Sequence, residues 1–413
     1  MKIMPITIPK DIDKYFFNRQ KDIKKINMYL SMLEEDIPNQ ILITGYRGVG
    51  KTFLLKKILQ DQDEKFLTAY IDLSNIYARQ RTDLTEEEVM KEILFSIKNT
   101  TSKNKKMHEK IKDSIKMFLK QLKIKDYDFD NPIDIFDIPI PLIKDNYEKL
   151  SKFVMELPQK IVDSTEDIKG FIIVIDEFQL LQSVKSPEAF FWLIRSYSQI
   201  QYNVSYIFTG SVSKTSEIIS MLNGQTGAFG GRMIQIDIEP FTREETKRYI
   251  DERSNNIKFN DKGFNKFYEC TRGIPIYINS LCSILPGNQI CDENIILENI
   301  KLNIDQIAIM WIYVWGRLSV QEREIILTLI ENDGANWTLL LNELNYSKPT
   351  ISKYLDSLSN KGIIEYDFNK KYIISDKMLK TWLKNMNKME DILYSKYYSI
   401  IFNNIQQYLE PII

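Results

Sequence analysis

The sequence predicts an α/β protein with a parallel five-stranded sheet in the order fifth, first, fourth, third, second. A helical lid and a C-terminal winged helix follow. Three observations predict it. Five short, nearly all-apolar runs alternate with helical patterns, as expected of strands buried on both faces and joined by helical crossovers. Seven of the 15 glycines crowd into two segments, Gly45 to Gly50 and Gly224 to Gly231, which implies special backbone geometry at both. From Leu318 onward, three helical patterns precede two short β patterns, the element order of a winged helix.

The strands fall at 41–44, 67–73, 171–175, 204–209 and 233–238. Almost a hundred residues separate the second from the third, too many for one crossover, so the core spans 1–240 with an insertion at about 100–150. Within that insertion, 102–125 holds nine lysines against Glu109 and Asp113, with apolar residues in helical spacing. The next stretch, 126–148, carries seven acids and one lysine, and its prolines forbid a long helix. This pair of segments is either a solvated face neutralised by its neighbour or a surface for a nucleic acid or a partner. Helices at 242–285 make a lid reaching to 316. The winged helix occupies 317–380, with helices at 321–330, 339–344 and 349–358 and strands at 363–366 and 371–374, and a helical tail fills 381–413.

Composition removes several function classes. In 413 residues, 55 Lys and Arg face 56 Asp and Glu, so whole-molecule attraction to nucleic acid or anionic membrane is excluded and only local patches remain. His108 is the single histidine and sits in the lysine-rich segment without a nucleophile motif, which discounts His-based triads. Cys270, Cys282 and Cys291 form no C-x-x-C pair, against a zinc site or disulfide framework and in favour of a reducing cytosol. Residues 1–14 lack an apolar signal core, and the longest apolar run, 307–315, is nine residues where a membrane span needs roughly 20. A soluble cytoplasmic protein without a membrane partner is expected.

The first strand runs into Gly45-Tyr46-Arg47-Gly48-Val49-Gly50-Lys51-Thr52 and then a helical pattern from Phe53, which is G-x-x-x-x-G-K-[ST] between a strand and a helix. Such glycines let backbone N–H groups face a phosphate, and the helix N-terminus adds partial positive charge. Lys51 reaches the β and γ phosphates and Thr52 offers a hydroxyl to Mg²⁺. The third strand delivers Asp176 and Glu177 to its carboxyl end, Asp176 to hold Mg²⁺ through its waters and Glu177 to polarise the attacking water. When a catalytic Glu directly follows the Asp, the fourth strand inserts between the first and third. The hydroxyls at its end, Thr209 and Ser211, either contact the γ-phosphate and the water or cap a turn. The second glycine cluster ends in Arg232, either a guanidinium delivered to a transferring phosphoryl group or an ordinary surface arginine.

Taken together, these motifs resemble the archaeal ATPase family, a branch of the STAND and AAA+ P-loop proteins close to the origin-recognition and Cdc6-type ATPases. The resemblance rests on the phosphate loop containing Arg47, Ile-Asp-Glu-Phe at 175–178, Thr-Gly-Ser at 209–211 and Gly231-Arg232 before a β pattern ending in Pro240-Phe241. It rests also on Arg272-Gly273-Ile274-Pro275 opening a helix, on Phe17-Asn18-Arg19 with Asn18 in the place of a usual glycine, and on Tyr372, Asp376 and Trp382 near the winged helix. The resemblance implies ATP and Mg²⁺ as cofactors, a lid placing Pro275 near the adenine, Arg232 as sensor or finger, and nucleotide state setting the angle of the winged helix. The chain departs from the pattern in its charged insertion and in ending soon after the winged helix.

The expected output is a protein partner or DNA, with nucleotide-dependent homo-oligomers as a further expectation. The third winged-helix helix offers Lys348, Thr350, Ser352 and Lys353, and the ribbon Lys370 and Lys371, to a nucleic acid. Against that, 318–376 holds six basic and nine acidic residues. The expected function is an ATP-binding, slowly hydrolysing switch; the alternatives are a DNA-directed ATPase of the initiator or loader kind and a nucleotide-binding interaction protein without turnover.

Overall fold

The computed structural model describes residues 7–79, 84–100, 133–135, 138–140, 147–210, 217–254, 256–303, 315, 318–361, 363–367, 370–375, 379–380 and 383. The basic segment 102–125 with His108, Ser211, Asp376, Trp382 and nearly all of the 381–413 tail lie outside these residues. The chain divides into two compact units, one ending at Pro240 and the other beginning at Phe241.

The first unit is built on β1 (Ile41–Gly45), β2 (Phe66–Asp72), β3 (Gly170–Asp176), β4 (Val204–Thr209) and β5 (Ile234–Ile238). They pair in parallel in the order β2-β3-β4-β1-β5, as the sequence predicts. Every residue of β3 and β4 is buried, which is why both read as unbroken apolar runs. Edge strand β2 is different: Thr68, Tyr70 and Asp72 are partly exposed.

Strand alternation deals side chains to opposite faces. Ile172 and Val174 join Ile26 and Leu30 of α1 (Gln20–Ser31) and Leu54, Leu55 and Ile58 of α2 (Lys51–Gln60) in one cluster. Phe171, Ile173 and Ile175 join the other, with residues of α3 (Glu86–Asn99), α4 (Tyr147–Asp163) and α5 (Pro187–Ser198). In this second cluster Phe208 meets Phe178, Phe191 and Phe229 edge-on, with ring centroids 6.0, 6.1 and 6.5 Å away. Burying each such ring contributes roughly 1.5–3 kcal/mol, which fixes β4 and the turn after β3 against one another. Within the charged insertion, Ile133–Ile135 and Ile138–Ile140 pair as an antiparallel hairpin.

The second unit begins with lid helices α6 (Arg243–Arg253), α7 (Asp261–Thr271), α8 (Pro275–Ile284) and α9 (Glu293–Leu302). A capping box, Thr242 with Glu245, starts α6. Between the helices, β6 (Lys258–Phe259) pairs in parallel with β7 (Ile290–Cys291), a ribbon too short to leave any periodicity in the sequence. The winged helix comprises α10 (Val320–Glu331), α11 (Trp337–Glu343), α12 (Lys348–Asn360) and the antiparallel ribbon β8 (Ile364–Tyr366) and β9 (Tyr372–Ile374), close to the expected boundaries. Ala335 bridges to Tyr372 and extends that ribbon. Buried Glu322 ties this unit's elements together, accepting hydrogen bonds from the Ser319 backbone that it caps, from Ser357 and from Lys361.

Candidate functional site

The glycine-rich turn joins β1 to α2, and its conformation demands its composition. Gly45 has φ +145°, and a Cβ there would sit 2.6 Å from the Ile238 carbonyl oxygen of the adjoining strand. Gly50 has φ +100° in open space, so backbone conformation alone selects glycine there. Lys51, 5 % exposed, opens α2, and its Nζ donates to the carbonyls of Gly45 at 2.9 Å and Tyr46 at 3.0 Å. Burial pulls its pKa down to about 8, with Glu177 and Asp176 acting to raise it and Arg47 to lower it. Tyr46 and Arg47 are exposed, Val49 is buried, and the Phe53 ring stacks edge-on against Phe16 at 5.5 Å.

Two strands away, β3 ends in buried Asp176. Its Oδ2 accepts from the Thr52 hydroxyl at 2.8 Å and from the Tyr70 phenol at 2.5 Å, and its Oδ1 accepts from the Glu177 N–H at 2.8 Å. Burial, and after it the Asp176 charge, push the Tyr70 pKa up, so the phenol remains a donor. Glu177 takes a left-handed backbone conformation, φ 56° and ψ 39°, uncommon for such a side chain and frequent at functional turns. Its carboxylate accepts from the Gln179 amide; burial, then the Asp176 charge, hold its pKa above the ordinary value. Thr209 stands beside Asp176 in register, fully buried. Its hydroxyl and the Gln179 Oε1 are buried without a hydrogen-bond partner among the described residues. The Gln179 amide packs where Gly210 has no side chain: a Cβ there would approach Oε1 to 2.1 Å.

This set of groups fits a magnesium nucleotide. A hydroxyl and a carboxylate in contact are hard oxygen donors, suited to an ion that takes its remaining ligands from phosphates and water. No group of three or more His, Cys, Asp or Glu that could hold a metal occurs among the described residues.

Residues 16–281 match the family model described as an ATPase domain predominantly from Archaea. The chain belongs to this family. Residues 318–365 match the winged helix-turn-helix DNA-binding model. Among solved structures, the Walker-type ATPase PABY2304 of Pyrococcus abyssi is similar at TM-score 0.65 and 18 % identity, covering 91 % of this chain and 98 % of that one. The Aeropyrum pernix ORC2 protein, solved in ADPNP-ADP complexes, gives TM-score 0.52 and 12 % identity, with 92 % and 98 % covered. Comparison with curated proteins gave no match. At these identities the structural likenesses carry the fold, a P-loop ATPase sheet with a C-terminal winged helix.

Within this family member, Lys51, Thr52, Asp176, Glu177 and Thr209 come together at the carboxyl ends of β1, β3 and β4. Arg232 does not join them. Ile234 pairs with Ile41 at the start of β1, and Arg232 lies two residues earlier. At roughly 3.3 Å per residue, about 20 Å of strand separates its level from Gly45. There it is exposed and close to Arg195, whose pKa is lowered by burial first and the Arg232 charge second. Pro275 is the first residue of α8 in the second unit.

Sequence reasoning placed Arg19 in a family motif but assigned it no contact. Its Nη1 donates to the Glu239 carbonyl at 2.6 Å and its Nη2 to the Val49 carbonyl at 2.9 Å, so one side chain pins the glycine turn to the end of β5. Asn18 and Arg19 both have left-handed backbones, φ 60° and 69°, which explains why asparagine can replace glycine at 18. Tyr70 and Gln179 were missed outright, because neither belongs to a pattern of local spacing.

Proposed function

We propose that this chain is an ATP-driven switch that binds ATP with Mg²⁺ on the Gly45–Thr52 turn, hydrolyses it slowly, and passes nucleotide state to the second unit and through it to a partner. One observation carries the reading: Lys51, the Thr52–Asp176 hydrogen bond and Glu177 stand together beside a turn whose backbone suits phosphate. Lys51 would exchange the Gly45 and Tyr46 carbonyls for phosphate oxygens. The Thr52 hydroxyl can go on donating to Asp176 while its lone pairs face a cation, and Glu177, fixed by Gln179, accepts a proton from water attacking the γ-phosphate. Bound Mg²⁺ supplies neutralisation of phosphate charge. Thr209 has a buried hydroxyl to offer the γ-phosphate or the water. The part of the lid, including Pro275, follows from the family resemblance alone.

Because Arg232 is level with the opposite ends of the strands, its role in this reading is on the nucleotide of a second copy. The test of the whole is calorimetry with MgATP and phosphate release. Wild type should bind and turn over, Lys51→Ala should bind at least about 100-fold more weakly, and Glu177→Gln should bind but release little phosphate. No heat with wild type would refute the function, wild-type phosphate release no faster than in MgATP alone would reduce it to nucleotide binding, and equal turnover in Glu177→Gln would remove Glu177 as the base.

A second reading, a DNA-directed ATPase, is favoured by the match of 318–365 to a DNA-binding winged helix. Duplex DNA that stimulates phosphate release, with affinity falling steeply in salt, would establish it.

A further inference from the structure

The Tyr70 phenol has no part in the chemistry above, yet it touches the carboxylate on which the metal end of the site depends. Tyr70 lies on β2, the strand neighbouring β3, and its hydroxyl donates to the Asp176 Oδ2 that also accepts from Thr52. Its ring is independently held: the Lys56 ammonium lies 5.4 Å from the ring centroid, and Lys56 is one helical turn beyond Thr52 on α2. The Tyr70 carbonyl is held as well, accepting from the Ser96 hydroxyl of α3 at 3.2 Å.

A carboxylate offers about four acceptor sites. In Asp176 three of them are taken, two on Oδ2 by the Tyr70 and Thr52 hydroxyls and one on Oδ1 by the Glu177 N–H. Rotation of the carboxylate would break all three bonds, so it is locked, and a single acceptor site on Oδ1 is left. With Tyr70 present, Asp176 therefore presents one orientation to Thr52 and one lone pair to a cation-bound water. Partners of this kind, which hold a metal-supporting carboxylate without touching the metal, commonly contribute about 10- to 100-fold to metal affinity.

The geometry points to Tyr70 as a positioning residue that sets the magnesium dependence of nucleotide binding by locking Asp176 through its phenol hydroxyl. This rests on the magnesium-nucleotide reading of the site. It acts through Asp176 and Thr52 rather than on the nucleotide, so its signature is confined to the metal-dependent part of binding.

The experiment uses the full chain and Tyr70→Phe, which keeps the ring under Lys56 and removes only the hydroxyl. ADP and a non-hydrolysable ATP analogue are titrated by calorimetry in EDTA and at a series of Mg²⁺ concentrations. Because phenylalanine fills the same shape at a partly exposed position, the variant should melt within a few degrees of wild type. The expected result is unchanged affinity in EDTA with the gain conferred by Mg²⁺ reduced about ten-fold or more. An equal magnesium gain in both proteins overturns the inference. So does an equal loss with and without Mg²⁺, which would make the phenol a support for the glycine turn. A wild type that binds no nucleotide in any condition overturns the functional reading and this inference with it, whereas wild-type binding with an unaffected variant overturns this inference alone.

Discussion

At the scale of single residues, the site is made of groups with one charge or one hydroxyl each, and their removal should separate binding from chemistry. Glu177→Gln keeps the shape and the Gln179 contact but cannot accept a proton, so phosphate release in a coupled assay should fall about 10²- to 10⁴-fold with nucleotide affinity retained. Backbone conformation provides a second handle. Asn18 has φ 60°, and asparagine tolerates the left-handed region better than most residues. Asn18→Gly should therefore leave the melting temperature unchanged or slightly higher, while Asn18→Val should destabilise by about 1–2 kcal/mol and weaken nucleotide binding by displacing Arg19. Wild-type stability in the Asn18→Val protein would argue against that conformation.

At the scale of elements, Gly273 shows why two distant motifs accompany one another. Phe241 donates its N–H to the Gly273 carbonyl at 2.8 Å, and a Cβ on Gly273 would lie 1.8 Å from the Phe241 carbonyl oxygen. Pro240-Phe241 and Arg272-Gly273-Ile274-Pro275 are thus two sides of one close backbone approach that seats α8 beside the start of α6. Gly273→Ala should cost about 3 kcal/mol or more, since the steric conflict adds to the penalty of φ +72°; urea unfolding measures it. Arg272 extends the connection, its Nη1 donating to the Ser375 carbonyl at the end of the wing.

The elements also show what the sequence made legible. β3 and β4 were legible because burial on both faces leaves no polar interruption, and the glycine turn because its positive φ values admit few other residues. The Asp176–Glu177 pair was legible because a carboxyl end of a buried strand is a fixed place. Tyr70 and the contacts of Arg19 were not, since Arg19–Glu239 and Tyr70–Asp176 join positions 220 and 106 residues apart and spacing along a chain has no record of them. The β6–β7 ribbon failed for the opposite reason: two residues per strand are too few to show a period.

At the scale of the whole molecule, two behaviours follow. If Arg232 acts on a second copy, specific ATPase activity should rise with protein concentration, and Arg232→Ala mixed with Lys51→Ala should recover part of the activity each lacks. Rates strictly proportional to concentration, with no recovery in the mixture, would remove Arg232 from catalysis. In the second unit, Glu322 is the electrostatic centre of the winged helix. Burial pushes its carboxyl pKa up, but hydrogen bonds from Lys361, Ser357 and the Ser319 backbone outweigh this and leave it below the ordinary value of 4.5. A depressed carboxyl pKa stabilises the fold above the unfolded value and loses that contribution as pH falls through the folded one. Wild type should therefore exceed Glu322→Gln in unfolding free energy by about 1–3 kcal/mol at pH 7, and the gap should close as the pH is lowered below about 4.5. A gap that stays constant down to pH 3 would show that the contribution is steric.

The guanidinium of Arg19 braces the glycine turn from a position ahead of the first strand. The leading stretch of polypeptide is therefore a strut of the site and not an appendage to the sheet. Replacing Arg19 by alanine should loosen the grip on nucleotide while the buried strands stay folded, a copy of the Lys51 defect made about thirty positions away.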